Sequence, residues 1–437
     1  MLFNSIVPQV FARMDLDRLM AASEARKEEA RRRLDYYQGD HLDRLGTLLA
    51  RYFSEPEAMQ QVCLNITRKV ILQLAQVYRE PPRRVVEGSK LDQDTFNEIA
   101  DGLGLDVKLK QAQRLVKLLK TCLLRPVWRG GRLDLDILTP DLLDVATGDT
   151  PEALEAIMVT HLGAGTRPED VTYSLWTPET WRLLNYRGHT VQEEANPYGV
   201  LPFVPCWDSA PLADFWQPGG DDLVSAQEAL NLKLTDLMHL IRHQSFGVGY
   251  LKGVRGAGQM HVDPGALLEL PENGEVGFVS QEAEIAEVVE SIKFLIRQVA
   301  VMHGLSAASM SLDPSTASGV SKVQDSKELA ELRADDVALW RRYEKNLFGV
   351  TRAVWNHHNP TVKLSEGATL SLDFADAKPT MSPQEQATTW ERLLDLGVIT
   401  AVDIAMERNP DITTREEALE HLLKLQEEQG QLNETKI

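Results

Sequence analysis

Along most of the chain apolar residues recur every three or four positions, and along one central stretch they alternate every second position. The first spacing gathers side chains on one face of a helix, the second on one face of a strand. Helical spacing runs from residue 8 to about 35 and stops at Tyr36-Tyr37-Gln38-Gly39, where Gly39 can take the left-handed turn that ends a helix. A second helix is predicted from Pro56 to about Tyr78 on Val62, Ile66, Val70, Ile71, Leu74 and Val77, with Pro81-Pro82 terminating it. Residues 92 to 124 continue helically, with Val107, Leu109, Leu115, Leu118 and Leu119 as candidate core positions.

From Pro126 to Pro211 the character changes to short alternating runs such as RLDLDIL and VTYSLW, broken by Gly-Asp, Thr-Pro and Leu-Pro, which predicts a β-rich body. Helix returns from Asp221 to about His243, with Leu223, Ala226, Leu230, Leu234, Leu237 and Ile241 along one face. Asp221 and Asp222 suit its positive N-terminus. Residues 246 to 281 are glycine-rich and read as a small β-hairpin insert between two helices. The return helix begins near Glu282, carries the stripe Ile285, Val288, Val289, Ile292, Leu295, Ile296 and Val299, and ends before Gly304. Residues 305 to 320 are small, polar and turn-prone, after which a helix runs from about Ser321 to His357. At about 1.5 Å per residue that last helix is roughly 55 Å long, a length that normally braces an assembly. A strand, TLSLDF, follows, then a capping box at Ser382-Pro383-Gln384-Glu385, a helix closed at Gly397, and two short helices from about Thr400 and Thr413. The fold class is therefore α+β, mostly helical.

At 437 residues the chain exceeds what one core usually supports, so two to four substructures are expected. No run approaches the roughly 18 to 20 apolar residues of a membrane span. The opening MLFNSIVPQVFARMD lacks the basic and apolar regions of a secretory leader, so the chain is expected to be cytosolic when made. Three widely spaced cysteines, Cys63, Cys122 and Cys206, suit buried free thiols better than a disulfide framework or a zinc site. The net charge of -19 opposes a tight grip on nucleic acid, because phosphate affinity comes from clustered Lys and Arg. An acidic wall with sparse cations would let a duplex slide. Residues 382–437 hold 12 carboxylates against 5 Lys and Arg, so much of the acidity sits there. The run SEARKEEARRR in the first helix reads as a solvated face.

Several chemistries are missing from the sequence. No GxxxxGK[ST] loop occurs, which excludes a P-loop motor, and Gly253, Gly256 and Gly258 do not form a dinucleotide fingerprint. His239 and His243 stand four apart on a helix but no Glu or third ligand accompanies them, so a structural role is expected and no metal. His357-His358 suits the C-terminal end of the long helix, and Asp335-Asp336 is an ordinary pair in so acidic a chain. No cofactor or catalytic residue is predicted.

The element order now carries weight: N-terminal helices, a β-rich body, a helix, a small β insert, a return helix, a loop, a very long helix and a helical cap. Together with YYQGDH at Tyr36 to His41, NITRKVILQLAQVYREPP from Asn65 to Pro82, NPYGVLPFVPCW from Asn196 to Trp207 and YLKG from Tyr250 to Gly253, it resembles the portal proteins of tailed bacteriophages. The resemblance implies a wing (1–220), stem helices (221–245 and 282–304) flanking a clip (246–281), a tunnel loop (305–320), a long wing helix and strand (321–381) and a crown (382–437). It further implies a ring, typically of twelve subunits, at one vertex of a virion capsid, assembled in the host cytoplasm. Double-stranded DNA would pass through it, and the terminase large subunit, a head-tail adaptor, and the capsid and scaffolding proteins would be its partners, with no membrane. By that likeness Met310, Ser311, Leu312, Asp313, Pro314 and Ser315 would face DNA in the tunnel loop. Lys252, Arg255 and His261 would meet the terminase or adaptor. Lys293 and Arg297, four apart and off the apolar stripe, are candidates for transient phosphate contact or for a salt bridge with Glu290 or a neighbour. The competing reading is a helical scaffold or adaptor that forms no ring.

Overall fold

The computed structural model describes residues 16–53, 59–163, 167–246, 248–252, 275–279, 285–306, 310, 319–374, 383–409, 412 and 414–434. The chain divides into a large unit, Met1–Asp376, and a small one, Ala377–Ile437.

The first described element of the large unit is α1 (Leu16–Gln38), which Gly39 ends at φ +104°. A short helix that the residue pattern did not announce, α2 (Leu42–Leu49), buries Leu45 and Leu49. The helix predicted from Pro56 to Tyr78 is much shorter: α3 spans Ile66–Leu74, preceded by non-helical chain. Asn65 fixes its start, its side-chain oxygen accepting the Arg68 N–H at 2.8 Å. Upstream, the Val62 and Leu64 N–H groups are taken by side chains from a distant helix, so no helical ladder can form there. After β1 (Arg83–Glu87), the predicted helix of residues 92–124 is in fact two helices and the start of a strand. α4 (Lys90–Leu103) begins with a capping box of Ser89 and Asp92, and Gly104 in the left-handed region separates it from α5 (Leu105–Leu119). Chain past Lys120 enters β2 (Thr121–Arg129). Leu109, Leu118 and Leu119 are buried as expected, but Val107 is 73% exposed because it lies on the outer side of the first turn of α5.

The β-rich body holds two antiparallel sheets. One has the order β3-β2-β9, from β3 (Arg132–Leu138), β2 and β9 (Val204–Trp207); in it Cys122 and Cys206 are direct cross-strand partners. The other is a meander of β4 (Leu143–Thr147), β5 (Leu154–His161), β6 (Thr172–Trp176), β7 (Thr180–Leu184) and β8 (Thr190–Ala195) in sequence order. β8 is exposed at every residue.

Next come α6 (Asp221–Phe246), the antiparallel pair β10 (Val248–Lys252) and β11 (Glu275–Val279), and α7 (Ile285–Met302). The long helix α8 covers Gly319–His358, 40 residues or about 60 Å. Trp340, Tyr343, Leu347, Phe348 and Val354 bury one of its faces in the main hydrophobic cluster. Within that face the Glu344 carboxyl is buried, accepting from Tyr78 Oη at 2.6 Å and Arg84 Nε at 2.7 Å. β12 (Thr369–Asp373) returns to pair with β1, so the end of the unit is stitched to its beginning.

The small unit contains α9 (Pro383–Asp395), α10 (Ala401–Arg408) and α11 (Arg415–Glu434). Thr400 and Asp403 form the capping box of α10. Among its described side chains the buried apolar ones are Ala405 and Ala418 alone.

Candidate conduit surface

Two packed helices joined by a two-stranded ribbon form the feature that carries Lys252, Lys293 and Arg297 among the expected site residues. α6 turns Leu223, Leu230, Leu234 and Leu237 inward, while Ile241 near its end is 36% exposed. α7 answers with Ile292 and Ala300 buried and Ile285, Val288, Val289, Ile296 and Val299 partly buried against the main cluster. The opposite side of α7 leaves Phe294 57%, Val301 59% and Met302 72% exposed. Large apolar groups rarely face water along a whole helix without a covering surface.

Lys293 and Arg297 lie on this outward part of α7. Lys293 donates to Glu290 Oε1 at 2.8 Å, the salt bridge that its spacing allowed. That hydrogen bond, more than Arg297 behind it, holds the Glu290 carboxyl below the usual range. The Arg297 guanidinium is exposed. Met310, expected among DNA-facing loop residues, is instead 4% exposed and packed into the main cluster, where with Leu305 (2%) it pins the chain after α7. A thioether is apolar enough that burial within its own chain wins over exposure. Ser311, Leu312, Asp313, Pro314 and Ser315 lie outside the described residues, as do Arg255 and His261. Lys252 is the last residue of β10, paired with Glu275 in register.

Where α6 and α7 meet the body, a polar cavity of about 420 Å³ is lined by Lys120, Asp208, Asp221, Asp222 and His303 among others. Sequence reading missed it because its residues come from four separate segments. Lys117 lies beside it, 2.8 Å from both Asp208 and Asp336. Burial opposes charge on Lys117, but the two carboxylates outweigh it and raise the ammonium's pKa. Asp208, buried yet facing Lys120 and Lys117, is shifted down, whereas burial dominates at Asp336 and shifts it up. Burial likewise lowers His303, against the pull of Asp222 at 3.6 Å. The lysine–carboxylate pairs tie α5 to α8, and His303 meets Asp222 where α7 ends beside the start of α6; none is arranged as a nucleophile with a base.

The histidine pairs resolve differently. His239 is half-buried on α6. His358 stacks on Trp128, with centroids 4.8 Å apart and planes 6° off parallel, and its Nε2 lies 3.2 Å from Tyr198 Oη, while His357 is exposed. Burial lowers the His358 pKa, with His357 adding to it. Among the described residues no group of three or more His, Cys, Asp and Glu is placed to hold a metal ion, and no helix is long and apolar enough to cross a membrane.

A helical hairpin tipped by a β ribbon, rising from an α+β body and followed by a 40-residue helix, defines a portal-type architecture. The chain belongs to the family described as "Phage portal protein, SPP1 Gp6-like", whose model matches residues 16–432. Three solved structures are similar at low identity. "Virion of native gene transfer agent (GTA) particle" matches with TM-score 0.42 and 13% identity over 77% of this chain and 87% of that one. "Neck of native GTA particle computed with C12 symmetry" gives 0.43 and 12% over 77% and 87%. "Neck of empty GTA particle computed with C6 symmetry" gives 0.47 and 12% over 78% and 89%. No curated protein matches the sequence.

Proposed function

We propose that this chain assembles as a homo-oligomeric ring, twelve subunits being the expected number, at one vertex of a phage or phage-like capsid. The ring is a passive channel through which double-stranded DNA is packaged and later ejected. It docks the terminase large subunit during filling and a head-tail adaptor afterwards, and it contacts capsid and scaffolding proteins while assembling in the host cytoplasm. The observation that carries this reading is the family match across 16–432, which takes in the body, the hairpin and the long helix. Residues 1–220 with 321–381 serve as the wing, α6 and α7 as the stem, 246–281 as the clip, 305–320 as the tunnel loop and 382–437 as the crown. The chain is not an enzyme in this reading, and the sequence has no phosphate-binding loop, so the motor is another protein. With a net charge of -19 per subunit the ring guides DNA by weak, sparse contact and not by adhesion.

Clip residues Lys252, Arg255 and His261 are the proposed terminase and adaptor contacts, Ser311 to Ser315 the tunnel-loop residues, and Arg297, then Lys293, the stem's phosphate contacts. Negative-stain imaging with native mass measurement tests the assembly. A ring with a central hole and an integral multiple of the 48.9 kDa subunit mass is expected; monodisperse small particles would overturn it.

A further inference from the structure

Four strands edge the two larger sheets: β3 and β9 in one, β4 and β8 in the other. An edge strand turns unpaired N–H and C=O groups outward, and folded chains usually cover or blunt them. On three of these edges a helix of this chain supplies the cover. Lys108 of α5 donates to the Leu135 carbonyl of β3 at 3.1 Å. Tyr343 of α8 accepts the Trp207 N–H of β9 and donates back to the Trp207 carbonyl, both at 3.1 Å. Arg26 of α1 donates to the Leu143 carbonyl of β4 at 2.8 Å. β8 differs. Among the described residues no side chain reaches its main chain, and every residue in it is exposed.

The register shows which of its groups stand open. The Asn196 N–H bonds the Glu179 carbonyl at 2.8 Å, so this pair faces inward and sets the antiparallel alternation for the rest of the ladder. Glu194 and Gln192 therefore bond to Trp181 and Leu183 of β7, whereas Glu193 and Ala195, opposite Arg182 and Thr180, turn their N–H and C=O groups away from the sheet. Two positions apart, they have the spacing at which an added strand bonds. The side chains decide which strand that is. Glu193 and Glu194 are exposed, as is Glu179 beside them, and Arg182 bridges Glu193 at 3.0 Å. A second copy that laid its own β8 on this edge would bring like carboxylates together, which opposes that pairing. A strand carrying Lys or Arg meets the opposite charge.

We infer that β8 is a docking edge for an extended, Lys- or Arg-rich segment of another protein, which joins the five-stranded sheet as an additional strand. Main-chain bonds at Glu193 and Ala195 hold the segment, and the carboxylates of Glu193 and Glu194 select it. The edge belongs to one chain and does not depend on the ring.

Hydrogen exchange and peptide binding test it on the purified full chain, with a blocked peptide of alternating Lys and Thr as the probe. Without peptide the Glu193 and Ala195 amides should exchange fast and those of Gln192 and Glu194 slowly, as read residue by residue by electron-transfer fragmentation. Adding the peptide should slow the first two. Ala195→Pro removes an outward N–H while leaving the charges and the bonds to β7 in place. It should weaken binding at least about fivefold by fluorescence anisotropy, the worth of one hydrogen bond. Glu193→Gln combined with Glu194→Gln keeps the main chain, and should also weaken binding and flatten its dependence on salt. A peptide of alternating Glu and Thr should not bind. Unchanged exchange in β5 to β7 confirms that each variant is folded. Glu193 and Ala195 amides already slow without peptide, no binding of the Lys–Thr peptide, or binding that Ala195→Pro leaves unaltered would each overturn the docking edge. Binding that the double Gln variant leaves unaltered would overturn the selection by charge.

Discussion

The Lys27 ammonium sits 2.5 Å from the Asp144 carboxylate, with the two side chains only 2% and 3% exposed, and this pair fastens α1 to the sheet edge at β4. Arg26 reinforces it, donating to Asp144 Oδ1 and to the Pro140 and Leu143 carbonyls while lying 3.9 Å from the Trp216 ring centre. Removing one partner of a buried pair strands the other charge, so Asp144→Ala should cost about 3–5 kcal/mol. The double variant Lys27→Met, Asp144→Leu should cost less than Asp144→Ala alone. Thermal and urea unfolding of these and the parent protein compares them, and a double variant no more stable than Asp144→Ala would contradict the stranded-charge account.

Asp92 gives a pH dependence. It accepts from the Ser365 and Ser89 backbone N–H groups at 2.7 and 2.8 Å, and these bonds, Ser365's first, hold its carboxyl far below the usual range. A depressed folded value means the contribution is fully present above the unfolded carboxylate value near 4 and is lost as pH falls towards the folded one. Asp92→Ala should cost about 1–2 kcal/mol at pH 7. The difference from the parent protein should shrink in strong acid, as urea unfolding at several pH values would reveal.

At Gly39, φ is +104° and an added Cβ would come no closer than 3.7 Å to its nearest neighbour, so the residue is required by backbone and not by space. Gly39→Ala should destabilise the end of α1 by about 1–2 kcal/mol without a change in urea m-value. A larger loss would mean that the turn has a packing role as well.

On the stem the two cations should differ in effect. Lys293 already shares its charge with Glu290, whereas Arg297 presents an exposed guanidinium. Arg297→Glu should therefore reduce packaged DNA per head more than Lys293→Glu does, and its defect should ease as ionic strength rises. Equal defects would remove the ranking of Arg297 over Lys293, and no defect in either would remove the phosphate-contact role.

Much of this was legible along the chain. The stripes of α6 and α7, the great length of α8, the β-rich body and the ribbon between two helices were all readable from period and turn chemistry, while the capping box expected at Ser382 to Glu385 lies outside the described residues. Errors arose where local pattern and long-range partners conflict. Val62 and Ile66 are spaced as on a helix, but the helix starts only at Ile66 because α6 supplies the partners for the Val62 and Leu64 N–H groups. Leu123 and Leu124 continue an apolar run that looks helical, yet they pair with Leu138 and Ile137 across β3, a choice that a short apolar run cannot reveal. The Lys293–Glu290 bridge was visible as one of two alternatives because it is local.

By itself, then, the sequence determined the helices from α6 onward, the β-rich body, the left-handed stop at Gly39, the absence of a phosphate loop and the order of elements that matches a portal. Tertiary structure alone decided that Gln227, Asn231 and Thr235 hold the main chain of residues 62–67 and are not surface polar residues, that Met310 is core, and that Lys27 finds Asp144. The reason is physical. A buried polar group must find a partner, and here the partners lie as many as 273 residues away, as Ser365 does from Asp92, where no local period can encode them.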